Sequence, residues 1–156
     1  MSTTRDQSQL PLLDVVAGIA GELDKAATFN PTFVPAGDKP TALRELSTII
    51  TRTQGLLLSV LAASGDVADE TGARTAGAWY AAATRHDHRP ATALDRLASS
   101  LDRDYPHLSA VVPAGRVNLD QAHLITHALD DLPTDPTITP EVRTRAELHL
   151  IDLADD

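Results

Sequence analysis

Residues 108–125 read LSAVVPAGRVNLDQAHLI, and this stretch decides the expected fold. A short apolar segment is followed by a turn that contains Gly115, a residue suited to tight turns. Asn118, with Gln121 three residues later, is a variant of the capping box and predicts that a helix begins at Leu119. Two helices joined in this way are typical of core scaffolding and also of helix-turn-helix proteins.

A helix-turn-helix would insert the first residues of its second helix into the major groove of DNA. The side chains in that position are those of Asn118, Asp120, Gln121 and His123. Asparagine and glutamine can read adenine, but Asp120 would meet phosphate unfavourably. Phosphate neutralisation supplies much of the affinity for DNA, and the helix holds neither lysine nor arginine. Core scaffolding is therefore the favoured interpretation of this helix pair.

Prolines and the helical spacing of apolar residues extend this pattern over the rest of the chain. The predicted helices cover approximately residues 11–29, 40–63, 75–85, 90–104, 107–112, 119–131 and 140–156. Two of them carry clear apolar stripes. The first stripe is Leu12, Val15, Val16, Ile19 and Leu23, and the second is Leu43, Leu46, Ile50, Thr53, Leu57 and Leu61. Gly65 is expected to stop the second helix, with an acidic connection over residues 66–72.

No stretch alternates with period two for long enough to predict a strand. We expect an all-α protein, a single domain of about seven helices. Residues 1–39 supply an N-terminal helix and a proline-rich loop, and residues 40–156 the main helical part. The last helix carries no C-cap signal, so we expect it to be truncated at Asp156.

The composition excludes several classes of protein. The 156 residues include no cysteine, which excludes disulfide frameworks, cysteine-ligated zinc and a thiol nucleophile. The net charge of −9 argues against coating nucleic acid or anionic membrane by bulk attraction. No signal peptide and no apolar run of roughly 18 residues is present, so we expect a cytoplasmic protein without a membrane partner. Nothing in the sequence indicates a cofactor or a small-molecule ligand.

The charge is unevenly distributed, and the middle of the chain is locally basic. Residues 72–116 hold six arginines against four aspartates, a net charge of +2. These arginines are the candidate nucleic-acid contacts: Arg74, Arg85, Arg89, Arg96, Arg103 and Arg116. Arg89, Arg96 and Arg103 recur at intervals of seven, from the residue before the helix predicted over 90–104 to its last turn, and would fall roughly along one face. The competing and favoured interpretation is ion pairing on the helix surface with Asp95, Asp102 and Asp104.

Two histidine pairs have spacings that a metal could use. His123 and His127 lie four residues apart on one helix, and His86 and His88 flank Asp87. A functional zinc site needs three or four ligands. Asp120 and Asp131 lie near the face of His123 and His127, but HLITH lacks the glutamate of a zincin motif, and the pair His86 and His88 has no identifiable third ligand. A solvated helix face and a polar loop are the favoured interpretations, and we assign no metal ligand. The sequence also lacks a nucleophile elbow and a phosphate-binding glycine loop, so we assign no catalytic residue.

Three motifs occur in an order that resembles one family. Residues 72–81 read GARTAGAWYA, residues 114–125 read AGRVNLDQAHLI before Leu132-Pro133, and residues 146–150 read AELHL. Together they resemble the actinobacterial domain of unknown function 222, or 13E12-repeat family, over most of residues 40–156. Tyr80 stands where leucine is usual in that family. The matched structural positions are Gly72, Trp79, Gly115, Asn118, Gln121 and Pro133, and Trp79 is expected to be a core anchor.

The resemblance implies a helical domain that commonly precedes an HNH endonuclease module. The cysteine pairs, the His-His step and the asparagine of such a module cannot be matched here, so no catalytic residue is carried over. We therefore expect a non-catalytic accessory or interaction domain, from a truncated or split member, whose partner is DNA or a downstream nuclease domain. The alternative is a DNA-binding module that uses the basic segment 72–116. A third possibility is a structural remnant whose last helix exposes Leu148, Ile151 and Leu153.

Overall fold

The computed structural model describes residues 11–134 and 136–155, and all regular structure in these residues is helical. The expected all-α class is therefore confirmed. The eight α-helices of the described residues are α1 (Leu12–Ala26), α2 (Lys39–Ala62), α3 (Gly65–Thr71), α4 (Ala76–Thr84), α5 (His88–Arg103), α6 (Pro106–Ala114), α7 (Leu119–Asp130) and α8 (Pro140–Asp155). The chain divides into two compact units, Met1–Ala42 and Leu43–Asp156. Asp156, where we expected α8 to stop, lies outside the described residues.

The first unit contains α1, a short 3-10 helix over Pro31–Phe33 and the first residues of α2. Asn30 begins the 3-10 helix, because its side chain accepts a hydrogen bond of 3.0 Å from the backbone N–H of Thr32. None of the residues of α1 is buried. The apolar stripe predicted for this helix therefore exists, but its side chains do not form a core.

The second unit is built around the helix pair α6–α7. Leu108, Val112, Val117 and Ala122 are each 0% exposed, and all four lie in the stretch 108–125. Helices α2, α5 and α8 surround the pair and complete the core. Their buried core side chains are Leu58, Leu61, Leu97, Ala98, Leu101 and Ile151. The interpretation of this helix pair as core scaffolding is therefore confirmed.

Helix α3 was not predicted, because Gly65 reads as a stop signal and the following residues are acidic. In the structure Gly65 is the first residue of α3, and Asp66 lies in its first turn, where a negative charge stabilises a helix. Ala68 is the buried residue of α3. The helix ends at Gly72, whose φ of 71° is left-handed and favours glycine.

The core face of α2 differs from the predicted stripe. The buried residues of this helix are Thr51, Gly55, Leu58 and Leu61, whereas Thr53 is exposed. A Cβ atom on Gly55 would lie 2.6 Å from Cα of Pro113 in α6, so only glycine permits this approach of the two backbones. Of the predicted stripe, Leu61 is buried and Leu57 is half-buried, whereas the other four residues are exposed. The close approach at Gly55 was not predicted, because a contact made through glycine gives no apolar signal.

The expectation that Trp79 anchors the core is wrong. Its side chain is 38% exposed, and the buried residues of α4 are Ala76, Gly77 and Ala81. A Cβ atom on Gly77 would lie 2.5 Å from Cβ of Asp95 in α5, so α4 and α5 meet too closely for a large ring between them. Tyr80 packs against the core instead.

The turn between α6 and α7 also holds the end of α8. Gly115 has a φ of 84°, and Asn118 and Gln121 form the predicted capping box in both directions at 2.9 Å. The side-chain amide of Gln121 donates to the carbonyl of Ala154 at 2.8 Å. These motif residues therefore begin α7 and satisfy a carbonyl at the C-terminal end of α8.

The third possibility was a structural remnant whose last helix exposes Leu148, Ile151 and Leu153, and that exposure is found in part. Leu148 and Leu153 on α8 are exposed, but Ile151 is buried in the core. As for membranes, no single helix in the described ranges is long and apolar enough to cross one. Helices α2 and α3, bent by 56° at their junction, pass the test as a pair on length and composition alone.

Candidate nucleic-acid interface

The three arginines spaced by seven lie on α5, as predicted, and all three are exposed. Seven residues turn an α-helix by nearly two full turns, so Arg89, Arg96 and Arg103 share one face over roughly 21 Å. We call these three residues the arginine row. The buried side chains of α5, Ala91, Leu97, Ala98 and Leu101, occupy the opposite face of the helix. The arginine row therefore lies on the face of α5 opposite the core, and Arg103 at its end also lines a cleft beside Tyr105 and Asp130.

The predicted ion pairing of the arginine row is not found. Across residues 11–134 and 136–155, no ion pair joins Arg89, Arg96 or Arg103 to an acidic side chain. Asp95 is half-buried where α5 meets α4. Arg103 donates from Nε to the carbonyl of Ser99 at 3.2 Å, and its two terminal nitrogens take no part in that hydrogen bond.

The other three candidate arginines are placed differently. Arg74 lies in the turn before α4, and Arg85 is the residue after α4, with a left-handed φ of 59°. Both are exposed. Arg116 lies at the turn before α7 and binds Asp155 through two nitrogens, at 2.6 and 2.7 Å. Of the six arginines, Arg116 is therefore already engaged in an ion pair with the C-terminal end of α8.

The start of α7 does not offer a reading surface for DNA bases. Asn118 and Gln121 use their side chains in the capping box, and Gln121 also binds the end of α8. Asp120 and His123 remain exposed at this position. Because the two amides that could read adenine are already hydrogen-bonded within the fold, the arginine row is the better candidate surface.

The histidine pairs do not converge on a common site. His123 and His127 are exposed, and His127 Nδ1 lies 3.1 Å from the carboxylate of Asp131. His86 stacks on Tyr80 with ring centroids 5.3 Å apart, whereas His88 Nδ1 lies 3.1 Å from the Thr92 hydroxyl. Within the described residues, no group of three histidine or acidic side chains could hold a metal ion.

A cleft of about 550 Å³ lies between the α5–α6 junction, the end of α7 and the start of α8. Tyr105 donates its hydroxyl proton to Asp130 in this cleft. Partial burial raises the pKa of Tyr105 well above its usual range. The hydrogen bond to Asp130 and the negative charges of Asp130 and Asp104 raise this pKa further, since a tyrosinate would face these carboxylates.

Two other charged groups of this cleft, Glu147 and Arg143, bind backbone groups at helix ends. Glu147 is the one charged side chain buried among the described residues, and it accepts the N–H of Leu108 at 2.8 Å. The carboxylate of Glu147, which belongs to α8, thus satisfies a backbone N–H in the first turn of α6 that would otherwise be unpaired. Its negative charge also interacts favourably with the helix dipole of α6. Arg143 donates to the carbonyl of Leu129 in the last turn of α7 at 3.3 Å, and to those of Leu132 and Pro133 just after the helix at 3.5 and 3.3 Å.

The roles of Glu147, Arg143 and Tyr105 in the cleft were not predicted from the sequence. Glu147 precedes the buried Ile151 by one helical turn, and this spacing could have marked it as an inward-facing acid. Arg143 and Tyr105 carried no such signal, because their partners lie 10 to 25 residues away in sequence. Tyr105 and Asp130 bind each other, and Glu147 and Arg143 bind backbone groups at helix ends, so these four side chains have a structural role.

No protein-family model matches the chain, and no characterised protein or solved structure matches it either. The resemblance of residues 72–81, 114–125 and 146–150 to the domain of unknown function 222 therefore stays a prediction.

Proposed function

We propose that this chain is a non-catalytic helical accessory module of an HNH-endonuclease-type protein in the cytoplasm, and that it contacts DNA through the arginine row. One observation carries this proposal: three exposed arginines on a single face of α5, opposite the core and without acidic partners in the described residues. The motifs that resemble the domain of unknown function 222 support an accessory role beside a nuclease module.

The geometry of the row fits the backbone of a duplex. The row extends for roughly 21 Å, which is less than the ~34 Å of one turn of B-DNA, so all three side chains can reach phosphates on one side of the duplex. Guanidinium groups bind phosphate oxygens through paired hydrogen bonds. Contacts of this kind fix the position of a protein on DNA and carry no sequence information. We therefore expect binding that is independent of base sequence.

The local charge of α5 makes such contacts favourable despite the net charge of the chain. The segment 72–116 has a net charge of +2, whereas the whole chain has −9. The acidic residues concentrate in the flanking segments, which carry −4 and −7. Only a local contact through the basic segment is compatible with this distribution, since the remaining surface repels phosphate.

The test is binding of the full chain to a duplex of mixed sequence at low salt. Replacing Arg89, Arg96 and Arg103 together by alanine is expected to weaken binding by about tenfold to 100-fold, because three phosphate contacts are lost. The same residues replaced by lysine should retain most of the affinity, since the charges remain.

A matched control removes the same charge elsewhere. Lys25, Lys39 and Arg145 are exposed and lie outside α5, and their joint replacement by alanine also lowers the net charge by three. We expect this variant to bind nearly as well as the original chain. Equal losses in both triple variants would reduce the effect to net charge and overturn the interface. No binding by the original chain would overturn it outright.

The non-catalytic part of the proposal has a separate assay. Plasmid DNA incubated with the purified chain and Mg²⁺, Mn²⁺ or Zn²⁺ is expected to remain supercoiled. Nicking that co-purifies with the chain and persists across preparations would contradict a non-catalytic role, whether or not the arginine row binds DNA.

A further inference from the structure

Helix α7 presents two histidines and two aspartates on one exposed face. Asp120, His123, His127 and Asp131 follow one another at intervals of three or four residues, and all four are exposed. Residues at these intervals are neighbours on the surface of a helix. The side chains that α7 buries lie on its other side: Ala122, Ile125, Thr126 and Leu129. The two imidazoles are therefore adjacent and open to solvent.

Asp131 orients the ring of His127. Its carboxylate lies 3.1 Å from Nδ1 of His127. Because a carboxylate accepts hydrogen bonds, Nδ1 is the donor and carries the proton. In a neutral imidazole the lone pair then lies on Nε2, at the other edge of the ring. Histidines that bind a metal through one ring nitrogen usually donate from the other to a carboxylate, a carbonyl or water, and His127 has this arrangement.

The ring of His123 is free to join it. Within the described residues, the one hydrogen bond of His123 outside the helix backbone is to its carbonyl, which accepts from the Thr126 hydroxyl at 3.0 Å. The Cβ atoms of residues four apart on a helix are about 5–6 Å from each other. Imidazole nitrogens bind divalent transition metals at about 2.0–2.1 Å, so both rings can reach one ion between them.

We propose that His123 and His127 together bind a divalent transition-metal ion, with Asp131 as the residue that positions His127. Imidazole suits Cu²⁺, Ni²⁺ and Zn²⁺, whereas Mg²⁺ and Ca²⁺ prefer oxygen ligands. Structural and catalytic zinc sites have three or four protein ligands, so two histidines and water form a weaker site whose metal exchanges. Cu²⁺ is expected to bind most tightly. The inference does not depend on the arginine row, which lies on α5.

The other histidine pair lacks these features and provides a control. His86 stacks on Tyr80, and its Nδ1 lies 2.7 Å from the Thr84 hydroxyl. His88 is the first residue of α5, and its Nδ1 lies 3.1 Å from the Thr92 hydroxyl. In the part of the chain that the structure describes, neither ring is held by a carboxylate. The pair also shares no helix face, because His86 precedes α5.

The first test titrates the full chain, purified without a histidine tag, with NiCl₂ by isothermal calorimetry. We expect one ion per chain. His123→Ala and His127→Ala should each weaken binding by about tenfold or more, because a single imidazole loses the advantage of a second, linked ligand. His86→Ala with His88→Ala should leave the dissociation constant unchanged. The proposal would be overturned if the original chain bound no Ni²⁺, or if the alanine variants at 123 and 127 bound it equally well.

A second variant tests the spacing of the two rings. His127→Ala with Ala128→His keeps six histidines in the chain but moves one ring by about 100° around α7. Ala128 is exposed, so the new side chain has room. This variant should bind Ni²⁺ as weakly as His127→Ala alone. If it kept the affinity of the original chain, binding would follow the number of histidines, and the site would be wrong.

The third test concerns Asp131 and the link between metal and fold. Asp131→Asn should weaken Ni²⁺ binding by up to about tenfold, while the melting temperature without metal stays the same. Ni²⁺ should raise the melting temperature of the original chain and not that of His127→Ala, because the helix holds the two rings together only when folded. An unchanged dissociation constant in Asp131→Asn would contradict the positioning role. An equal rise in melting temperature in both proteins would contradict the site itself.

Discussion

Helices α1 and α5 have similar lengths, 15 and 16 residues, and both carry apolar side chains at helical spacing, yet only α5 buries them. In α5 the approach of Gly77 from α4 and the contact with α6 enclose the apolar face. In α1 no residue is buried. Apolar residues at helical spacing therefore predict that a helix has an apolar face, but burial of that face also requires a neighbouring element that can approach it.

The two helices also present different surfaces. The outer face of α5 is polar and carries the arginine row, which suits phosphate. The exposed face of α1 is apolar.

The largest expected difference between the two regions concerns deletion of a leucine side chain. Leu108→Ala in α6 should destabilise the chain by about 3 kcal/mol, because it removes buried contacts and leaves a cavity. Leu13→Ala in α1 should change the unfolding free energy by less than about 0.5 kcal/mol, since Leu13 is 78% exposed. Urea unfolding followed by circular dichroism measures both. Equal losses would mean that α1 belongs to the core.

A pair of glycine substitutions should have opposite signs. Gly77→Ala is expected to destabilise by about 1–3 kcal/mol, because the new Cβ would overlap Asp95. Gly18→Ala in the middle of α1 should stabilise by about 0.5–1 kcal/mol, since alanine favours helix and nothing lies within 4 Å of the new atom. Thermal unfolding of the two variants would contradict the account if Gly18→Ala lowered the melting temperature.

Two asparagine caps provide a comparison with a smaller effect. Asn118→Ala should cost about 1 kcal/mol, because it removes the capping box that begins α7 in the core. Asn30→Ala removes the cap of the short 3-10 helix in the first unit and should cost only a few tenths of a kcal/mol, within the ~0.5 kcal/mol typical of surface changes. The account would fail here if chemical unfolding gave the two variants the same midpoint.

The smallest expected effect is a loss of stability at alkaline pH when Tyr105 ionises. It concerns only the second unit, which contains both tyrosines of the chain. The raised pKa of Tyr105 stabilises the fold below the ordinary tyrosine pKa of about 10, and this contribution is lost as the pH rises further. In a Tyr80→Phe variant, phenolate absorbance should therefore appear well above pH 10. Asp130→Asn should lower that pKa, and an unchanged titration would count against the Tyr105–Asp130 hydrogen bond.

Much of the fold follows from local signals in the sequence. The capping box at Asn118, the prolines at helix starts and the apolar period predicted seven of the eight helices of the described residues nearly in register. Helix α3 was missed because Gly65 resembles a stop, and the buried face of α2 because Gly55 makes its contact without an apolar side chain. Close backbone approach depends on tertiary structure, so no local pattern announces it.

Part of the candidate site could also be predicted from local signals. Intervals of seven along α5 are a local property, so the common face of the arginine row could be deduced. The partners of charged groups are not local. Arg116 binds Asp155 across 39 residues and Glu147 caps α6 across the same separation, and neither pairing has a signature in the sequence.

The measurement that tests the central claim most directly is the salt dependence of duplex binding between about 50 and 200 mM. The logarithm of the binding constant falls linearly with the logarithm of salt concentration, with a slope of roughly −0.9 per phosphate contact. If the arginine row makes three such contacts, the slope for the chain with Arg89, Arg96 and Arg103 replaced by alanine should be shallower by about 2.7. Identical slopes for the two proteins would show that the arginine row does not contact DNA.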